Sequence, residues 1–448
     1  MVEEILHACQ NAVALLQSIP RSSRIRVVSH YDADGIAAAG VLCTAVYRAG
    51  YEFHATLMRN PFTKGFDRLR SERNELILFA DMGSGQIDTI ESLGSKAIIL
   101  DHHQYVTAQT SQTVLQINAN LYGIDGNYDA SGATLCYLFA IALDPANVAL
   151  APLALAGATG DKQFIGGVRG LNKVILESAV QNKVLSEQTS IKLYGDTIAD
   201  ALFYSIDPYY PGLSGNREAV QQMLEKMRIP QSARLQEIPP ESMMRIQSYL
   251  LFLLIKAGCQ QNILDTTIRK RYVAPQGWEL ERFADMLDAC GKNGYRSLGL
   301  SLCLGDGSLG NEALMVEKDY KQKILDGLQG LEHGGIIEKE GLRYFYSDNS
   351  SLGGVIAGIA MNYVLDEKKP LFSLVRKETD SEVHVSCRGN QWLVAQGLDL
   401  GSVMKRVAEE LGGFGGGHRI AAGATIGFEK EKEFLEKVDV RLQQQMKG

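Results

Sequence analysis

Between Arg24 and Asp161, five short apolar runs, RIRVV, EFHATLM, NELILFA, KAIIL and TVLQIN, alternate with segments such as GIAAAGVLCTAVYRAG, whose small and apolar residues recur at helical spacing. Runs of that length read as strands, and strand–helix alternation predicts an α/β fold with a mostly parallel sheet. The polar residues fall at one place in this pattern. IRVV runs through Ser29 into His30, NELILFA runs into Asp81, and KAIIL runs into Asp101, His102 and His103. Each cluster therefore sits at the carboxyl end of its strand, the edge at which open α/β sheets bind ligands.

The stretch SHYDADG places His30, Asp32 and Asp34 within five residues. Like charges that close together in a poorly hydrated crevice repel, and a bound cation resolves the repulsion. Adding Asp81, Asp101, His102, His103 and Asp161, which ends LALAGATGD, gives a donor set of carboxylates and imidazoles without thiolates. Such a set suits Mn²⁺, Mg²⁺ or Zn²⁺, and its richness in oxygen favours manganese or magnesium. It exceeds the needs of one ion. Two cations about 3.5–4 Å apart, bridged by a shared carboxylate, clamp the oxygens of an in-line phosphoryl displacement.

At 448 residues, with 45% hydrophobic residues, the chain is long enough for roughly three domains of about 150 residues each. SIDPYYPGLSGNREAV, residues 205–220, is rich in turn formers and reads as a boundary. A mainly helical block follows: EAVQQMLEKM, ESMMRIQSYLLFLLIKAG, ELERFADMLDACGK and MVEKDYKQKILDGLQGL. From Gly341 a strand pattern returns in LRYFYSD, PLFSLVRKE and EVHVSCR, with helices at 352–365 and 401–411. The glycine-rich GGFGGGHRIAAGA and a charged amphipathic helix end the chain. The expected domains are 1–213, 214–335 and 336–448. A net charge of −7 argues against a uniformly basic nucleic-acid binder, but it leaves room for a local basic groove or a metal that brings its own charge. SYLLFLLIKAG is interrupted by Lys256 and falls short of the ~20 residues of a spanning helix. The N-terminus carries early acids and lacks a signal-peptide pattern, and the scattered cysteines read as reduced core thiols of a cytoplasmic protein.

H-x-D-x-D-G at His30–Gly35, the strand-closing Asp81, D-H-H at Asp101–His103 and G-D at Gly160–Asp161 resemble the four motifs of DHH phosphoesterases. GGGHRIAAG, Gly415–Gly423, resembles the signature of the DHH-associated domain, and the middle block is most similar to archaeal RecJ-type nucleases. The resemblance implies a DHH domain with a mostly parallel sheet, a helical insert and a C-terminal α/β DHH-associated domain. It implies that His30, Asp32 and Asp81 hold one metal, and that Asp34, Asp81, His102 and Asp161 hold a second, with Asp81 bridging. His103 is then a donor or general acid at the scissile phosphate, and Asp101 orients the histidines. Hydrolysis proceeds by an activated water, with two divalent ions, manganese preferred and magnesium accepted. Gly416, Gly417, His418 and Arg388 are the implied substrate contacts, their backbone N–H groups and charged donors suiting phosphate oxygens.

The implied activity is a metal-dependent exonuclease acting on single-stranded DNA or RNA ends in replication and repair. The alternatives are a phosphodiesterase for short oligonucleotides or dinucleotides, and a non-catalytic scaffold within a replication complex. Docking on a helicase or primase is compatible with each. Elsewhere the residues read as structural. His7, His54, His333 and His384 have no partner pattern, Arg269-Lys270-Arg271 reads as a solvated basic face, and Tyr209 and Tyr210 read as buried at a domain boundary.

Overall fold

The computed structural model describes residues 2–59, 64–108, 111–349, 351–377 and 381–447. Glu378, the last residue of the PLFSLVRKE strand, lies outside them. The chain divides into two compact units, Met1–Ser190 with Arg269–Glu317, and Ile191–Ile268 with Lys318–Gly448.

In the first unit, helix α1 (Val2–Gln17) precedes strand β1 (Arg24–His30), helix α2 (Ala33–Arg48) and strands β2 (Glu52–Met58), β3 (Leu76–Ala80), β4 (Lys96–Asp101) and β5 (Val114–Asn118). Helices α3 (Gly132–Leu143) and α4 (Ala151–Gly160) follow. The strands form one sheet in the order β2-β1-β3-β4-β5, with every pair parallel. The expectation of a mostly parallel sheet is met by one that is parallel throughout.

Period-two alternation explains why these runs look continuously apolar. Val27, Leu78, Ile98 and Ile117 face a core that includes residues of α1, α2, α3 and α4, whereas Val28, Ile77, Ile99 and Val114 face a second core with Phe66, Leu69, Ile87 and Ile90. Burial on both faces, worth about 1.5–3 kcal/mol per large side chain, pins the strand ends and hence the residues just past them. Two helices from later in the chain, α5 (Leu280–Lys292) and α6 (Arg296–Cys303), belong to this unit, and residues from both pack in its larger core.

Arg269-Lys270-Arg271 is only in part the solvated face expected: Lys270 is exposed, and the two arginines are not. It lies in a strand, Ile268–Val273, where Arg271 is only 2% exposed and pairs with Glu281 and, at 3.5 Å, Glu279. Arg269 also pairs with Glu281, and Lys270 sits 2.9 Å from Glu187. Acids at positions 279 and 281 neutralise the two arginines, so Arg271 can enter the interior while Lys270 stays at the surface.

The second unit holds a six-stranded mixed sheet built from β6 (Ile337–Glu338), β7 (Arg343–Tyr346), β8 (Leu371–Lys377), β9 (Glu382–Arg388), β10 (Phe414–Gly417) and β11 (Ala421–Gly427). Its order is β10-β11-β9-β8-β7-β6; β7 and β8 are parallel and the other pairs antiparallel. Helices α7 (Gly353–Tyr363) and α8 (Leu400–Glu410) accompany this sheet. Tyr209 and Tyr210 are buried, as expected. No helix among the described residues is long and apolar enough to cross a membrane.

Candidate metal centre

The side chains that follow β1, β3 and β4 meet those of α2 and α4 at the carboxyl edge of the first sheet. His30 ends β1, and Asp32 caps α2 by accepting from the Gly35 N–H at 3.1 Å. Asp81 follows β3 with φ +56°, a left-handed backbone, and its N–H donates to the Leu100 carbonyl at 2.8 Å. That turn folds the 2%-exposed carboxylate back over the sheet edge instead of letting the strand continue. Asp161 is the C-cap residue of α4.

The resulting distances are short. His30 Nδ1 lies 2.8 Å from Asp32 Oδ2 and 3.6 Å from Asp81 Oδ2. His102 Nε2 lies 3.1 Å from Asp81 Oδ1, 3.2 Å from Asp161 Oδ2 and 3.8 Å from Asp34 Oδ2. Asp81 thus stands between two groups, one with His30 and Asp32, the other with His102, Asp34 and Asp161. Within His30–Asp32–Asp81 and within Asp34–His102–Asp161 the donor atoms all lie within 4.8 Å of one another.

The histidines are oriented from behind. His102 Nδ1–H donates to the Gly126 carbonyl at 2.5 Å, so a neutral ring turns the Nε2 lone pair toward the acids. Asp101 accepts from the backbone N–H groups of His102, His103 and Ser84 and from His103 Nδ1 at 2.8 Å. These hydrogen bonds all run to its own loop or the neighbouring one, which makes Asp101 a positioning residue. His103 stays 55% exposed, with Nε2 as its free ring nitrogen.

Asp34 is fully buried and held at the N-terminus of α3, where it accepts from Ser131 Oγ and Gly132 N–H, both at 2.7 Å, and from Ala133 N–H at 3.1 Å. These partners were missed by the sequence reading. S-x-x-T at Ser131–Thr134, a capping box, is the one local signal that a helix starts there. Gly132 has a second role: a Cβ on it would lie 2.5 Å from Asp81 Cβ and 2.8 Å from Oδ1.

Crowding shifts the titrations. Burial, then Asp81 and Asp161, pushes Asp34 well up, although His102 and the Ser131 hydroxyl oppose it. Burial, with Asp81 and Asp32, pushes Asp161 up to about 7, although His102 and His103 oppose it. Burial alone would raise Asp81 too, but His102 and His30 outweigh it and hold this carboxyl far below its usual range. Burial would lower both His30 and His102, yet the surrounding carboxylates raise them well above an ordinary imidazole. Close as they lie to one another, the buried atoms His30 Nδ1, Asp81 Oδ1 and His102 Nε2 make no hydrogen bond of acceptable geometry among the described residues. Orphaned donors of the right chemistry, carboxylate and imidazole without thiolate, fit divalent metal.

In the second unit, Arg388 ends β9 opposite Ala421, and Gly417 pairs with Ala422, so both lie at one end of that sheet. The Arg388 guanidinium donates to the Cys387 carbonyl at 2.9 Å and has no carboxylate partner among the described residues. Gly417 and Gly416 differ. A Cβ on Gly417 (φ +136°) would meet Ala422 Cα at 2.6 Å, whereas one on Gly416 would meet nothing within 4 Å. Gly417 is therefore explained by the fold and Gly416 is not. His418 is exposed, and its N–H closes the turn on Ala421. Phe414, two residues before Gly416 on the same strand face, is 68% exposed, an aromatic residue that the sequence reading passed over.

The chain matches the DHH family, N-terminal domain, over residues 24–158 and the DHHA1 domain over residues 341–444. It is 30% identical over 433 residues to an uncharacterized protein of Methanocaldococcus jannaschii, covering 94% of each chain. Among solved structures it is similar to RecJ of Thermus thermophilus in complex with Mn²⁺, with TM-score 0.62 and 17% identity. That match covers 98% of this chain and 55% of the RecJ chain, so the protein spans about half of that relative's length. CDC45 of Entamoeba histolytica aligns over 98% of both chains, with TM-score 0.64 and 12% identity. The family match, the shared fold and the donor set together support a metal-dependent phosphoester hydrolase. The chain is a member of the DHH family, with a DHH domain followed in sequence by a DHHA1 domain.

Proposed function

We propose that the protein is an exonuclease that hydrolyses phosphodiester bonds at the ends of single-stranded DNA or RNA, using two divalent cations, manganese in preference to magnesium. The observation that carries this is the convergence of His30, Asp32, Asp34, Asp81, His102 and Asp161 around three orphaned buried atoms. His30, Asp32 and Asp81 would hold one cation, and Asp34, His102, Asp161 and Asp81 would hold the other. When bound, the cations act as Lewis acids that neutralise the carboxylates and polarise water and phosphate. The protein groups then do the positioning. Asp101 fixes His103 through Nδ1, leaving Nε2 to meet the phosphate or the leaving oxygen, and its raised basicity suits a proton donor. Arg388, Gly416, Gly417 and His418 hold a phosphate or terminal nucleotide of the strand, Arg388 as a guanidinium whose burial lacks a compensating acid.

The first test is a time course on a single strand labelled at its 5′ end with Mn²⁺ present. Immediate release of labelled mononucleotide identifies attack from the 5′ end, and a descending ladder identifies the 3′ end. A strand left intact overturns the exonuclease and moves the weight to dinucleotide substrates, or to the scaffold role that the CDC45-like fold favours. Gly416→Ala supplies a separate expectation. Because its Cβ meets only open space, the fold is unaffected and the melting temperature holds. A ligand lying against that backbone loses contact, so KM rises roughly tenfold with kcat little changed, the cost of about one charge-assisted hydrogen bond. An unchanged KM removes Gly416 from the substrate contacts.

A further inference from the structure

A cavity of about 340 Å³ opens in the first unit among residues 276–314, and none of the metal-centre side chains lines it. One wall is aromatic: Trp278 and Phe283 pack with ring centroids 4.4 Å apart and planes tilted by 31°. Both residues are half-buried, packed against the main hydrophobic core, and both line the cavity. Core packing accounts for the aromatic wall. It does not account for Arg282, which lies next to Phe283 in α5 and also lines the cavity.

The guanidinium of Arg282 has no hydrogen bond or ion pair among the described residues. No carboxylate lines the cavity, although the chain carries a net charge of −7. Of the acids nearby, Glu279 and Glu281 pair with Arg271, and Asp306 accepts from the hydroxyl and N–H of Ser308. Ser308 and Asn311 also line the cavity. Beside them Gly307 and Gly310 leave the backbone bare, for a Cβ on either would meet nothing within 4 Å.

We propose that this cavity binds one nucleotide unit, its base stacked on Trp278 and its phosphate held by Arg282. A planar ring against an indole face gains stacking energy whatever the base, and an arginine beside it selects an anion. Asn311 completes the set as a neutral donor to phosphate or sugar oxygens, while the Ser308 hydroxyl, which donates to Asp306, is left to accept from a sugar hydroxyl. The volume falls at the small end of ligand pockets, the size of a single nucleotide and not of a longer segment. The unit comes from one of two sources: a free mononucleotide, or one residue of a bound single strand. The proposal does not depend on hydrolysis.

The chain has two tryptophans, Trp278 and Trp392, so Trp392→Phe leaves Trp278 as the single indole reporter. This full-length variant is titrated in EDTA, where no strand is cut, with adenosine monophosphate and with a short single strand. Saturable quenching of Trp278 is expected with at least one of them. Quenching by the mononucleotide identifies the free ligand; quenching by the strand alone identifies a subsite for bound nucleic acid. In the Arg282→Ala background the affinity falls about tenfold, as for loss of a charge-assisted hydrogen bond. The melting temperature stays put, because Arg282 has no partner to lose. No quenching by either ligand, or equal quenching with and without Arg282, overturns the proposal. A protein that cuts strands without quenching refutes this site alone, whereas quenching without cutting refutes only the exonuclease reading.

Discussion

Asp81→Asn is expected to lower metal-dependent phosphodiester hydrolysis by about 10³-fold or more, equivalent to ~4 kcal/mol of barrier, while the protein still folds. Asparagine is among the few residues that accept the left-handed backbone seen at this position, and it keeps the N–H bond to the Leu100 carbonyl. What it loses is the charge shared between the His30–Asp32 and His102–Asp161 groups. Asp81→Ala should be equally inactive but less stable by roughly 1–2 kcal/mol, since a Cβ without a polar tip is disfavoured at φ +56°. Metal content, turnover and thermal melting separate the two losses. Retention of more than a tenth of the parent rate in Asp81→Asn would show that this carboxylate is not shared by two cations.

The metal-free melting curve of the same variant carries a pH signature. Asp81 holds His30 and His102 above their ordinary basicity, so the stability of these pairs is fully present below about pH 6.5, the unfolded histidine value. It is lost as pH rises through the folded histidine values. Asp81 itself is held low, so its own contribution is present above an ordinary carboxyl's range near 3.9 and is lost only in strong acid. The stability difference between parent and Asp81→Asn should therefore be widest in mildly acidic solution and shrink toward alkaline pH.

Much of the centre can be read from the chain because buried parallel strands appear as unbroken apolar runs, and the residue that ends such a run must stand at the sheet edge. His30, Asp81 and Asp101 are legible for that reason alone. What holds them in place is not. Asp34 takes its hydrogen bonds from Ser131, Gly132 and Ala133, close to a hundred residues away, and the tautomer of His102 is set by the carbonyl of Gly126. Backbone donors and acceptors carry no residue signature, so only the folded chain reveals them. The surface reading of the basic run at 269–271 holds for Lys270 and fails for the two arginines for a related reason: their neutralising acids, Glu279 and Glu281, lie beyond any local window. Gly417 was grouped with Gly416 because glycine in sequence does not say whether the space beside it is filled by protein or left for a ligand.

Gly132→Ala should remove most of the activity without touching a single donor atom. The added methyl has nowhere to go: it would sit 2.5 Å from Asp81 Cβ, 2.7 Å from its Cα and 2.8 Å from Oδ1. Two of these atoms are not the far end of a flexible side chain, so either α3 backs away or Asp81 shifts. If α3 moves, the N–H groups of Gly132 and Ala133 leave Asp34; if Asp81 moves, its distances to His30 and His102 lengthen. Both responses open the cluster. A displacement of about 1 Å in a site that depends on geometry costs on the order of 10²-fold in rate, and overpacking of this kind costs roughly 1–3 kcal/mol in stability. Gly85→Ala is the matched control, because a Cβ there, in the loop that follows Asp81, meets nothing within 4 Å. Parallel assays of kcat, Mn²⁺ affinity and melting should show Gly132→Ala crippled in the first two and Gly85→Ala indistinguishable from the parent. If Gly132→Ala binds Mn²⁺ and turns over normally, the close approach of α3 to Asp81 plays no part in building the centre.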